Sequence, residues 1–322
     1  MYMFKYICKR LILVVCSFVA IITICFVLVK LLPNDLVEAP GKDMELLLKR
    51  REMLGYDKPI IEQYGIFWKY ALQGDFGASE IVFPGRDVWD VFVEKIPYTV
   101  SINIFTILIS VPLGLILGIF AALKKNKWQD QVISTGVMLF ISVPSFIYAF
   151  LVQYVLYFKL DLFPATVAES AIYGAFSPQF IKDSIPAILS MSFGTIAFFA
   201  RYTRAELTEV LTSEFMLLAR TKGLTKAQAT VRHAIRNTMV VIFPMILGEF
   251  LSIMSGSIII EQIFGIPGAG QLYLKSIQMP PHPDYNFFLL LSSFYTLLGL
   301  SANIIIDVSH SLIDPRIKMG AR

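Results

Sequence analysis

The sequence predicts an all-α, polytopic membrane protein, and three observations carry that prediction. Of its 322 residues 56% are hydrophobic and only 16% charged, with a mean hydropathy of +0.66. The apolar residues gather into six runs, at 11–32, 98–123, 132–158, 185–200, 239–260 and 287–306. Each meets or approaches the ~20 residues a helix needs to cross the hydrocarbon layer. None alternates apolar and polar residues with period two, so barrel strands are excluded and helices are the spanning elements.

The first run follows Lys5, Lys9 and Arg10, as a cleaved signal would. It is too long for a signal core, and no small-residue cleavage pattern follows Pro33, so it reads as a retained span. Cys8, Cys16 and Cys25 fall in or beside it without metal or disulfide spacing, and read as apolar filler. The loop at 33–97 is long enough to carry structure. Asp43 suits the N-cap of a short helix in which Glu45 and Lys49 pair at i,i+4. Pro59 suits the first turn of a second helix that stops at Gly74 and carries Tyr64, Phe67, Trp68 and Tyr70 on the outer face of the bundle.

The second run contains Pro112 and the pair Gly114/Gly118, a spacing that lets helices approach closely. Lys124, Lys125 and Lys127 pin its end. The third run, carrying Pro144, reads as one continuous span. Pro186 opens the fourth, which is short and continues into the polar residues beyond it. The fifth holds Glu249, Ser252 and several small residues. An ionisable group in such a run marks a functional candidate, able to line a polar passage or to pair with another helix or subunit. Ser252, and Asn103 in the second run, join Glu249 as translocation-path candidates. The glycines of 261–270 do not form a phosphate loop, since no Lys-Ser/Thr follows and no strand precedes them; a tight re-entrant turn or cap is expected.

The charges set the orientation. With the N-terminus inside, the inner segments 1–10, 124–130, 201–237 and 307–322 hold sixteen Lys/Arg against six Asp/Glu. The outer ones hold twelve against seventeen. The positive-inside rule therefore predicts six spans with both termini cytoplasmic.

The stretch 201–237 is the exception to the chain's apolar character. It carries Arg201, Arg204, Arg220, Lys222, Lys226, Arg232 and Arg236 against Glu206, Glu209 and Glu214. A short helix over 214–222 would set Phe215, Leu218 and Ala219 on one face, and Gly223 is its expected left-handed stop. Thr225 and Gln228 form a capping box for a following helix with Val231, Ala234 and Ile235 on one side. These apolar faces are too narrow to bury alone. Residues alone leave two partners open: a docking protein or anionic lipid headgroups.

A family resemblance separates them. Tyr202-Thr-Arg204, Leu218-Ala-Arg220-Thr-Lys-Gly223-Leu224-Thr and Arg232-His233-Ala-Ile-Arg236-Asn237 resemble the coupling loop of ABC-importer permeases of the oligopeptide, dipeptide and nickel branch. The general Glu-Ala-Ala-x-x-x-Gly signature keeps only Ala219 and Gly223 here, since Leu217 and Leu218 take its first two positions. Leu54-Gly-Tyr-Asp-Lys-Pro59, Gln63-Tyr64, Gly74-Asp-Phe-Gly-Ala-Ser79, Phe264 with Pro267-Gly-Ala-Gly270, and Asp314-Pro-Arg316 extend the likeness to the B-type subunit over nearly the whole chain.

The resemblance implies a type I ABC-importer permease fold in the cell membrane. The first helix and outer loop would occupy 1–97, the transmembrane core 98–310 and a cytoplasmic tail 311–322. It also implies a non-catalytic subunit, paired with a second homologous permease, two cytoplasmic ATPases that bind ATP and magnesium, and an extracytoplasmic peptide-binding protein. Nucleic acid, metal and a cofactor in this chain are not expected. Coupling would fall to Glu214, Phe215, Leu218, Ala219, Arg220, Lys222, Gly223, Leu224, Arg232, His233, Arg236 and Asn237. Nickel or another small solute is the alternative cargo. An ATPase-independent secondary transporter is the alternative class; an intramembrane enzyme is disfavoured because His233, His282 and His310 fall at or beyond span ends.

Overall fold

The structure is a computed structural model that describes residues 2–31, 45, 48–49, 52, 55, 57–255, 257–278 and 283–313. Asp43, Leu54, Tyr56, His282 and the Asp314-Pro-Arg316 run lie outside the described residues. The described elements are helical, apart from one isolated bridge between Ala78 and Asp87. In chain order the helices are α1 (Tyr2–Lys30), α2 (Ile60–Ala71), α3 (Val88–Leu123), α4 (Trp128–Ser142), α5 (Ser145–Gln153), α6 (Pro178–Asp183), α7 (Ile185–Thr212), α8 (Glu214–Thr221), α9 (Lys226–Ala229), α10 (Ile235–Leu251), α11 (Ile258–Ile263), α12 (Ala269–Gln278) and α13 (Tyr285–Ile313). Turns with π spacing extend α5 over Tyr154–Lys159 and join α9 to α10 over Thr230–Ala234.

Among the described residues five helical stretches are long and apolar enough to cross a membrane: Cys8–Lys30, Val88–Leu123, Ile185–Thr212, Lys226–Ser255 and Tyr285–Ser309. The third predicted span is corrected. It is not one rod but α4 and α5, bent by 100° at the break before Pro144. Proline disfavours helical backbone at the residue before it, and Val143 accordingly takes an extended ψ of 126°.

The chain divides into two compact units. The first comprises residues up to Thr99 with 254–262 and 267–304. Here the aromatic helix α2 packs on α1: Trp68 meets Phe18 edge-on at 6.1 Å, Tyr64 and Phe67 flank Phe26, and the Thr23 and Tyr64 hydroxyls bond at 2.5 Å. The core of this unit gathers Val88, Val91 and Phe92 of α3 with Leu272 of α12 and Phe287, Leu290 and Leu291 of α13.

Two buried carboxylates organise that unit. Asp284 caps α13 and accepts the backbone N–H groups of Glu80, Ile81 and Val82 at 3.1 Å each, with the Ser79 hydroxyl at 2.6 Å. Three successive amides curled around one carboxylate form an anion-binding nest. Glu261 does the same for the glycine-rich turn. Its carboxylate accepts the Gln271 amide at 3.0 Å and the Thr99 hydroxyl at 2.8 Å, while Thr99 accepts the Ala269 amide. A Cβ at Gly268 would lie 2.5 Å from that carboxyl and one at Gly270 2.9 Å, so a side chain at either position would displace the Glu261 carboxyl. The expected turn is present, and its glycines pack around a carboxyl group that is the chain's own. Burial pushes the Glu261 carboxyl up to about 7, opposed by the hydrogen bonds from Thr99, Gln271 and Gly270. Glu261 lies outside the membrane-length helices.

The second unit comprises 100–253, 263–266 and 305–322. Gly114 and Gly118 bring α3 against α7, as their spacing predicts. A Cβ at Gly114 would lie 2.7 Å from Phe199 Cβ, and one at Gly118 2.6 Å from Thr203 Cβ. Ile107 and Val111 of α3, Phe199 of α7 and Ile242 of α10 form the core of that contact.

Candidate functional site

The polar stretch 201–237 is built on α7, which continues past its apolar part to Thr212 as expected. A bidentate ion pair holds the start of this extension. Arg204 Nε and a terminal nitrogen donate to the two Asp130 oxygens, the second at 2.8 Å. Asp130 is almost fully buried at the first turn of α4 and also accepts the Asn126 amide at 2.9 Å. The loop bends tightly there, with Asn126 at φ 65°. Fork-to-fork arginine pairing adds geometric specificity to charge. The sequence reading missed this partner because the two residues lie 74 apart and no local pattern joins them.

The short helix α8 follows Ser213, with Glu214 in its first turn, where the helix dipole favours a carboxylate. Gly223 stops it at φ 89°, donating its amide to the Arg220 carbonyl. The Thr225/Gln228 capping box is formed in both directions, at 3.1 and 3.2 Å. A π-type turn then carries Arg232 and His233 into α10.

The buried face of α8 differs from the predicted one. Met216 and Ala219 point inward, joining Leu207 of α7, Ala122 of α3, Ala229 and Ala234 in one apolar cluster that Leu224 flanks. Phe215 and Leu218 point outward, 49% and 54% exposed; Leu217, on a different side of the helix, is 63% exposed. The i, i+3, i+4 reading grouped Ala219 with Phe215 and Leu218; packing against α7 selects the 216/219 edge instead. Val231 is likewise exposed rather than grouped with the buried Ala234. Phe215 meets the His233 ring edge-on at 5.7 Å, so the outward apolar face continues from α8 to the next turn. Arg220, Lys222, Arg232, Arg236 and Asn237 are exposed in the same stretch. The arrangement is a short helix whose inner edge is packed and whose outer edge offers bare apolar surface, in a stretch rich in exposed cations.

The translocation-path candidates are placed separately. Glu249 and Asn103 are half-buried in α10 and α3. Ser252 is exposed at the end of α10, where its hydroxyl donates to the Glu249 carbonyl at 2.8 Å, so it caps its own helix.

An all-α, multi-pass membrane protein is what this fold defines. Residues 114–319 match the family model of the binding-protein-dependent transport system inner membrane component, and the chain belongs to that family. It is 31% identical over 98% of its length, and 99% of the relative's, to a dipeptide transport system permease of Bacillus subtilis. It is 29% identical over 98% of its length to the Lactococcus lactis dipeptide permease, all of which is covered. To the glutathione transport system permease of Escherichia coli K12 it is 30% identical over 98% of this chain and 99% of the other. A crystal structure of an amino acid ABC transporter with histidines aligns with a TM-score of 0.46 and 18% identity, over 71% of this chain and 95% of that one.

Proposed function

We propose that this chain is one of two related membrane subunits of an ATP-driven importer of short peptides, driven through α8 by cytoplasmic ATPases. The observation that carries the reading is the split helix: Met216 and Ala219 buried, Phe215 and Leu218 bare. An isolated surface helix gains nothing from a contiguous apolar edge; a partner groove gains affinity from it. Both termini and the 201–237 stretch are assigned to the cytoplasm by the Lys/Arg asymmetry.

The coupling step follows from what α8 touches. When the ATPase pair closes on ATP and magnesium, its groove moves α8, and the Met216 cluster passes the displacement to α7 and α3. Those two helices approach too closely at Gly114 and Gly118 to slide past one another, and Arg204 ties α4 to α7. A push on α8 thus reaches three membrane helices as a body, as alternating access between two states requires. The switch draws on the difference in groove contacts between the two states. The chain has no Gly-x-x-x-x-Gly-Lys-Ser/Thr run, so nucleotide chemistry falls to the partners. A binding protein on the opposite side delivers the cargo.

Short peptides are favoured over nickel because the similar permeases belong to dipeptide and glutathione systems. The test is uptake into vesicles holding this chain together with a second permease subunit, ATPases and a peptide-binding protein that co-purify with it. ATP-dependent entry of a labelled dipeptide is expected. Uptake that persists without the ATPases would instead identify a secondary transporter, and ATP-dependent entry of nickel alone would move the cargo assignment.

A further inference from the structure

Beside α8, on the side away from Phe215, a groove of about 570 Å³ opens within the second unit. Lys125 and Lys127 line it from the α3–α4 corner, Arg220 from α8 and Lys226 from α9; Glu214 is the single carboxylate on its walls. None of these cations has a carboxylate within ion-pair distance among the described residues. Thr208, Thr212 and Ser213 also line the groove, and the Thr212 and Ser213 hydroxyls close on backbone carbonyls. Four cations around one space match a phosphate.

The surroundings say which phosphate. The groove begins where the membrane-length α3 ends, at Leu123, which is exposed like Phe120 one turn earlier. Trp128, 69% exposed, follows Lys127 directly. Exposed tryptophan and lysine at the end of an apolar helix mark the headgroup level of a bilayer. An apolar wall leading into a cationic pocket fits a lipid, whose chains follow α3 while its phosphate enters the groove. We propose that this groove binds the headgroup of an anionic phospholipid. Because Glu214, Leu217 and Arg220 belong to both the groove and α8, the bound lipid braces α8 for coupling; that consequence, unlike the binding itself, rests on the reading above.

The test is native mass spectrometry of the purified full-length chain, carried with whatever subunits co-purify, titrated with phosphatidylglycerol and with phosphatidylcholine. A cation near an anionic headgroup contributes about fivefold, so Lys125→Gln/Lys127→Gln should weaken phosphatidylglycerol binding about 25-fold. Phosphatidylcholine should be unaffected, as should Lys49→Gln/Lys58→Gln, an equal change of charge elsewhere. Equal loss in both double variants, or no preference for phosphatidylglycerol in the wild type, overturns the proposal. Protection of the groove lysines from amine labelling by bound ATPases, without any lipid preference, would assign the groove to an acidic protein segment instead. Lipid binding is read without transport, so its failure and a failure of the peptide-importer reading are separable.

Discussion

Replacing Phe215 and Leu218 together by alanine separates the two edges of α8. Full burial of a phenylalanine or leucine side chain is worth about 1.5–3 kcal/mol. Phe215 is 49% exposed and Leu218 54%, so about half of that remains to be gained on docking, roughly 1 kcal/mol for each residue. The double variant should therefore lose about 2 kcal/mol of ATPase affinity, a ~30-fold weakening, with the chain's own thermal midpoint almost unmoved. Met216, 4% exposed in the α7–α8 cluster, should behave oppositely: Met216→Ala should cost about 2–5 kcal/mol of folding stability. The assay is paired: thermal melting in detergent for the fold, and co-purification of ATPases with a titration of stimulated ATP hydrolysis for docking. If Phe215→Ala/Leu218→Ala lowers the melting point as far as Met216→Ala, the assignment of faces is wrong. If the fold and the ATPase affinity both survive intact, α8 is not the coupling contact.

Three further outcomes follow from the packing. Arg204→Ala leaves Asp130 buried with only its amide and hydroxyl donors; since Arg204 is one-third exposed, a loss of about 2 kcal/mol is expected, below the full value for a buried pair. A double-mutant cycle with Asp130→Asn should return most of it as coupling. Gly118→Ala forces a Cβ to within 2.6 Å of Thr203 Cβ and should destabilise by about 1–3 kcal/mol. Gly136→Ala in α4, with no neighbour within 4 Å, should have the opposite sign, gaining up to about 1 kcal/mol. Glu261 has its folded value raised from 4.5 to about 7. The stability it contributes is complete below about pH 4.5 and lost as pH rises through 7, by about 3 kcal/mol in all. Melting in detergent across pH 4.5–8 should show that decline, and Glu261→Gln should flatten it.

Much of the candidate site was legible as local chemistry. Gly223 as a left-handed stop and Thr225/Gln228 as a capping box are decisions made within four residues, and the backbone takes them wherever the segment lies. The Gly114/Gly118 approach was legible for the same reason: small residues one turn apart leave a groove that a neighbouring helix fills. The edge of α8 that turns inward was not. Residues 215, 218 and 219 and residues 216 and 219 are both valid helical stripes, and only α7, contributing Leu207, chooses between them. The Asp130–Arg204 pair and the Glu261 cradle were hidden too, because their partners converge from distant parts of the chain.

The sequence by itself therefore determined a helical membrane protein, its apolar spans, the limits of the polar stretch and the caps of its helices. These depend on hydropathy, charge and turn chemistry, which act over one or two helical turns. Tertiary structure decided the 100° break of the third span and the carboxylate inside the glycine turn. It also decided which side of α8 was left bare, because burial is settled between helices and no single helix carries that choice.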